Sequence, residues 1–98
     1  MIYRQGDILL KPINSIPEEA RKKNLVLAEG EVTGHYHQFV DPTIVSVYEV
    51  NEQQYVNVRE KAELTHDEHH NLFIEKGVYE VVRQREVDLL NEVRQVMD

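Results

Sequence analysis

The chain has 98 residues, 41% hydrophobic and 30% charged, a composition typical of one globular domain. Its 18 acidic and 11 basic residues give a net charge of -7, which argues against general nucleic-acid binding, because that depends on clustered lysine and arginine. With no leader-like or membrane-spanning apolar run and no cysteine, the sequence predicts a cytoplasmic protein that makes no membrane contact, no disulfide and no thiolate metal site.

The first third of the chain predicts two short strands separated by a turn. Residues 7–13 have strand character, and Pro12 lies near the end because proline cannot donate to a ladder. A proline followed by acidic residues predicts one or two helical turns over residues 17–21. The basic run Arg21–Lys23 is typical of a solvated loop, and the apolar run 25–28 predicts a buried strand.

Short strands dominate the rest of the chain. They are predicted over residues 35–40, 44–50, 54–65 (one long or two consecutive strands), 72–74 and 78–85, with a hairpin loop at residues 75–77. Helical spacing of apolar residues behind Asp88 then predicts a C-terminal helix over about residues 88–97. We therefore expect a mainly β single domain over residues 1–98, a small cupin-like or other closed β-barrel. Strand edges that need covering make a homodimer plausible.

All five histidines lie in two clusters, His35 with His37 and His66 with His69 and His70. Side chains alternate along a strand, so His35 and His37 share a face with Phe39, about 7 Å apart along the backbone. Imidazole is the commonest metal ligand, and this spacing suits one ion. If the two clusters meet in space, they form one metal site.

The second cluster contributes one or two of its histidines to that site. His66 has the same parity as Ala62 and Leu64, which directs it inward, and His69 joins it if residues 67–68 form a turn. His70 has the opposite parity to His69 and should lie outside. We expect His37→Ala and His66→Ala each to lower metal affinity about tenfold or more, and His70→Ala to change it less than about threefold.

The predicted metal ligands are His35, His37, His66 and His69. Without thiolates, this set suits a divalent transition metal such as Zn, Fe, Mn or Ni. Glu68, between the second pair, is the candidate for activating a metal-bound water, in an enzyme acting on a small molecule or a phosphate ester. The alternative is a non-catalytic binding or regulatory module in which the histidines stabilise the fold or sense metal or pH.

Five sequence strings are distinctive: Tyr-Arg-Gln-Gly-Asp at 3–7, Gly-Glu-Val-Thr-Gly-His-Tyr-His at 30–37, His-Asp-Glu-His at 66–69, Gly-Val-Tyr at 77–79 and Gln-Arg-Glu at 84–86. Together they resemble a group of small bacterial proteins of unknown function. The resemblance spans nearly the whole chain and implies a shared fold, but no activity.

The histidine spacing also resembles, more loosely, that of the cupins. Their first motif contains His-X-His and a later motif supplies one more histidine, around a metal inside a small barrel. Here His35 and His37 match the first motif, and His66 or His69 would stand for the later histidine. The glutamate that cupins carry soon after His-X-His is missing, and Asp41 is the only acidic residue nearby. The cupin fold hosts many chemistries, so it implies no reaction type.

Overall fold

A computed structural model describes residues 1–27 and 36–83, which form ten β-strands and no helix. No segment of this described part is therefore a helix able to cross a membrane. The strands are β1 (Tyr3–Gln5), β2 (Ile8–Pro12), β3 (Arg21–Lys23), β4 (Val26–Leu27), β5 (His37–Phe39), β6 (Val45–Val50), β7 (Gln53–Val58), β8 (Ala62–Thr65), β9 (Leu72–Ile74) and β10 (Gly77–Arg83).

The strands form two antiparallel sheets. One has six strands in the order β1-β2-β10-β7-β6-β3, and the other has four in the order β4-β5-β8-β9. Side chains of both sheets build one hydrophobic core. Its fully buried members include Ile8, Val47 and Val56 from the larger sheet and Phe39 and Leu64 from the smaller one. Burial of this apolar surface is the main term that holds the two sheets together.

Two hairpins of the larger sheet have two-residue turns. Gly6 and Asp7 join β1 to β2, where Gln5 pairs with Ile8. Asn51 and Glu52 join β6 to β7, where Val50 pairs with Gln53. Positive φ angles occur at Gly6 (57°), Asn51 (51°) and Glu52 (65°), as tight hairpin turns require to match the twist of their strands.

The prediction of a closed barrel is wrong. Among the described strands, β1 and β3 end one sheet and β4 and β9 end the other, so neither sheet closes on itself. The chain changes sheet four times, between β3 and β4, between β5 and β6, between β7 and β8, and between β9 and β10. A barrel and a pair of packed sheets share the same alternation of inward and outward residues, which is why the sequence pattern could not separate them. The predicted helix at 88–97 lies outside the described residues.

Three local predictions also need correction. Residues 75–76 connect β9 to β10 in the other sheet and do not close a hairpin. The basic run Arg21–Lys23 is not a loop: it forms the exposed edge strand β3, and Lys23 Nζ contacts Glu49 Oε1 of β6 at 2.8 Å. Residues 17–21 contain a single turn, closed by the bond from Ala20 N to Pro17 O at 3.1 Å. Charged side chains on an edge strand discourage pairing with other chains.

Candidate functional site

The first histidine cluster enters the fold through β5. His37 and Phe39 are buried and Gln38 is exposed, as the alternation of strand side chains predicts. Phe39 joins the hydrophobic core, whereas His37 lies at the end of the strand, beside the turn between β1 and β2. The core thus fixes the strand that carries His37 and leaves its imidazole among polar groups.

Three imidazole rings from the two clusters meet at this point. The centroid of His66 lies 4.3 Å from that of His37 and 4.6 Å from that of His69. The rings of His37 and His69 are nearly parallel, with centroids 6.3 Å apart. The 28 residues that separate the clusters in the sequence therefore do not separate them in space.

Both ring nitrogens of His37 have hydrogen-bond partners. Nδ1 lies 2.8 Å from Gln5 Oε1, and Nε2 lies 2.9 Å from Asp7 Oδ1. The amide oxygen and the carboxylate oxygen are both acceptors, so each ring nitrogen faces a hydrogen-bond acceptor. His37 is therefore held between an amide and a carboxylate, with only 3% of its surface exposed.

Asp7 carries the negative charge of this pair. The hydrogen bond from His37 lowers the pKa of the Asp7 carboxyl below its ordinary value of 3.8, and partial burial opposes this change. The charges of His37 and Arg83 lower the pKa further; Arg83 Nε lies 3.8 Å from Asp7 Oδ2. Asp7 is consequently ionised at neutral pH.

His66 has a different environment. The backbone N–H of Glu68 donates to His66 Nδ1 at 3.0 Å, which places the proton of the neutral ring on Nε2. Burial lowers the pKa of His66 below its ordinary value of 6.5, and the nearby His37 and His69 lower it further, against the opposing effect of Asp67 and Glu68. The lowered pKa favours the neutral form of the His66 ring.

His69 packs directly on the turn between β1 and β2. A Cβ atom placed on Gly6 would lie 2.4 Å from His69 Nε2 and 2.7 Å from its Cδ2. No side chain fits at this distance, so the imidazole can occupy this position only because residue 6 is a glycine. The positive φ of Gly6 is a second reason for glycine at the same position.

The other predicted site residues do not join this group. His35 lies outside the described residues. The ring of His70 is exposed, as its parity predicted, and only its backbone carbonyl takes part, by accepting a hydrogen bond from Gln5 Nε2 at 2.8 Å. Glu68 reaches the cluster through its backbone N–H, and the residue is exposed.

The three histidines and Asp7 are residue types that bind metal ions, but their side chains are not arranged to hold an ion in this structure. Within residues 1–27 and 36–83, no three His, Asp or Glu side chains form a group that could hold an ion as they stand. The hydrogen bonds give a reason: a ligating imidazole needs a lone pair, but both nitrogens of His37 face acceptors, and the lone pair of His66 Nδ1 accepts from Glu68 N. An ion could enter only if it displaced the proton on His37 Nε2 and if the ring of His66 also exchanged its partner.

Gln5, Gly6 and Asp7 are the site residues that the histidine pattern did not identify. All three lie in the string Tyr-Arg-Gln-Gly-Asp at 3–7. This string supported the resemblance to small bacterial proteins, but no role in a site was predicted for its residues. A useful signal was available in Gly-Asp at the end of a short strand, since such a pair predicts a tight turn that presents a carboxylate. Nothing local, however, indicates that this turn faces residues about 60 positions later.

The comparison with known proteins identifies a family without an assigned activity. No curated protein and no solved structure matches the chain. A family profile described as a domain of unknown function, DUF8820, matches residues 4–84. This range contains Gln5, Gly6, Asp7 and all five histidines, and it covers well over half of the sequence. The chain therefore belongs to the DUF8820 family.

Proposed function

We propose that the three clustered histidines form a binding site for one divalent transition-metal ion, with Asp7 as its carboxylate. The observation that carries the proposal is the convergence of His37, His66 and His69, with ring centroids 4.3 to 6.3 Å apart. Asp7 Oδ1 lies 2.9 Å from His37 Nε2, so a carboxylate is already beside the rings.

The chemistry of the donors supports the same proposal. Imidazole nitrogen and carboxylate oxygen, without thiolate, suit Zn, Fe, Mn or Ni. A ligating imidazole must be deprotonated, and the lowered pKa of His66 favours its neutral form. The amide oxygen of Gln5 accepts from His37 Nδ1, which resembles the partner that metal-bound histidines usually have on their second nitrogen. His35, two residues before His37 in the sequence, would be a further ligand.

A second candidate is a non-catalytic module in which the histidines stabilise the fold. It is favoured by the complete hydrogen bonding of His37, which connects β5 to Gln5 and Asp7. In this case the hydrogen bond between His37 and Asp7 is permanent, and no ion displaces the proton between them. The two candidates differ in one measurable property, which is stoichiometric metal binding.

Metal analysis of protein purified without a histidine tag tests the proposal. We expect one ion per chain, retained on gel filtration or restored by zinc. His37→Ala should weaken zinc binding about tenfold or more, and the matched control His70→Ala less than about threefold, because its ring is exposed. Less than about 0.2 equivalents of any transition metal, with no binding on reconstitution, would contradict the proposal and favour the structural cluster.

Catalysis is a separate prediction that depends on the metal. A bound ion lowers the pKa of a water ligand, and Glu68 would assist that water in the hydrolysis of a small molecule or a phosphate ester. The metal-loaded protein should therefore cleave an activated phosphodiester. Glu68→Gln should lower the rate about a hundredfold or more while leaving the metal content unchanged. An unaltered rate would remove Glu68 from the reaction, and no cleavage by the metal-loaded protein would favour a binding module.

We also propose a cellular location and an oligomeric state for the protein. We place the protein in the cytoplasm, where cell fractionation should find it. We also infer a homodimer, because the described sheets end in the strands β1, β4 and β9 as well as the charged β3, and exposed strand edges attract partners unless charge protects them. Light scattering after size exclusion should give twice the chain mass of 11.5 kDa, and a monomer at high concentration would contradict the dimer.

A further inference from the structure

Gln5 is a buried polar residue, and its orientation is determined by the backbone around it. Its side chain is 3% exposed. The amide nitrogen donates to Leu64 O at 3.0 Å and to His70 O at 2.8 Å. Because carbonyl oxygens only accept, the nitrogen of the amide must face them, and its oxygen must face the other way. The usual ambiguity between the two ends of a glutamine is thus removed.

The oxygen of this fixed amide faces His37. Gln5 Oε1 lies 2.8 Å from His37 Nδ1, and an amide oxygen cannot donate, so Nδ1 must carry a proton. A neutral imidazole has one N–H and one lone pair. Nε2 faces Asp7 Oδ1 at 2.9 Å, and this carboxylate can itself ligate a cation, so an ion would replace the proton on Nε2 and leave the one on Nδ1.

We propose that Gln5 is a positioning residue that makes His37 bind metal through Nε2 alone. The inference rests on the proposed metal site. Two backbone carbonyls fix the amide, the amide fixes the proton on Nδ1, and this proton leaves Nε2 as the only nitrogen able to ligate. The two carbonyls belong to β8 and to the loop that carries the second histidine cluster. Gln5 thus connects the orientation of His37 to the segment that presents His66 and His69.

A purely structural role for Gln5 is the competing explanation, because the same hydrogen bonds tie β1 to β8. The two roles differ in what they predict for the imidazole. A structural glutamine would affect folding without selecting a nitrogen of His37. A positioning glutamine determines which nitrogen carries the proton, and ¹⁵N chemical shifts of the imidazole report this directly.

The test uses the untagged full chain, zinc as the probe, and Gln5→Met, which removes all three hydrogen bonds of the side chain. The matched control is Gln53→Met. Gln53 Nε2 also donates to a backbone carbonyl, Val81 O at 2.6 Å, in a pair of residues that takes no part in the histidine cluster. Gln5→Met should weaken zinc binding about tenfold or more, whereas Gln53→Met should change it less than about threefold.

The nitrogen signals complete the test and do not require that the variant folds. In the zinc-loaded wild-type protein, Nδ1 of His37 should be protonated and Nε2 ligated. Ligation through Nδ1, or equal zinc binding by wild type and a folded Gln5→Met, would overturn the role of Gln5 and leave the metal site standing. No zinc binding by the wild-type protein would overturn both proposals.

Discussion

The two tight turns of the larger sheet have the same length but different surroundings. Gly6-Asp7 and Asn51-Glu52 each join neighbouring antiparallel strands with two residues, and each contains positive φ angles. Asn51 and Glu52 are exposed, whereas Gly6 is buried and Asp7 half-buried. The first turn packs against His69 and supplies a carboxylate to His37, and the second faces solvent.

This difference explains why only the first turn contains glycine. Asn51 and Glu52 adopt φ angles of 51° and 65° without it, so a positive φ alone does not require glycine in this sheet. At Gly6 the approach of the His69 ring adds a second requirement, because a Cβ atom would overlap its Nε2. Which residue a turn position can hold thus depends on what packs against that position as well as on its φ angle.

The largest effect should come from Gly6→Ala. The left-handed backbone costs about 1 kcal/mol for a residue with a side chain, and displacement of the His69 ring adds about 1–2 kcal/mol. We expect urea denaturation to show a loss of about 2–3 kcal/mol in the free energy of unfolding. Zinc affinity should fall about tenfold, because His69 is moved from its place.

A double-mutant cycle with His69→Ala separates the two causes. Once the ring is removed, Gly6→Ala should cost only the backbone part, about 1 kcal/mol. The difference between the two backgrounds measures the overlap between Gly6 and His69. An equal cost in both backgrounds would show that the turn does not need glycine for the sake of the ring.

Asp7→Asn should have the next largest effect. It removes the negative charge beside His37 while keeping the shape of the turn, and we expect a loss of only about 1 kcal/mol in the free energy of unfolding, since Asp7 is 45% exposed to solvent. Zinc affinity should fall about tenfold. Glu52→Gln is the matched control, because it neutralises a carboxylate of the exposed turn and should leave both quantities unchanged. Equal effects of the two variants would remove Asp7 from the site.

The smallest effect should be a gain in stability from Glu52→Gly. Glycine at this position avoids the cost of a left-handed backbone, and Asn-Gly is a preferred sequence for a turn with two positive φ angles. The free energy of unfolding should rise by about 0.5 kcal/mol, with unchanged zinc binding. A loss of stability would indicate that the Glu52 side chain has a role that its exposed position does not explain.

Local alternation predicted much of the smaller sheet and part of the site. It placed His37 and Phe39 on the buried face of β5, and Ala62 and Leu64 on that of β8. It also placed His70 outside, where its ring is exposed. A period of two is a property of one strand, so it can be read without knowing which strands pair.

Pairing between distant segments could not be predicted in the same way. Gln5 contacts Leu64 O across 59 residues of sequence, and Asp7 contacts His37 across 30. Neither contact leaves a local pattern, and the division of the strands into two sheets also depends on long-range packing. The histidines were identified because their residue type is chemically distinctive, whereas glutamine, glycine and aspartate are ordinary residues of a turn.

Imidazole NMR during a zinc titration measures most directly whether the two histidine clusters form one site. We expect the signals of His37, His66 and His69 to change together and to stop changing at one equivalent of zinc, while those of His70 stay unaltered. Stoichiometric changes in His70 alone, or changes that continue over several equivalents without a plateau, would contradict a single site at the turn between β1 and β2.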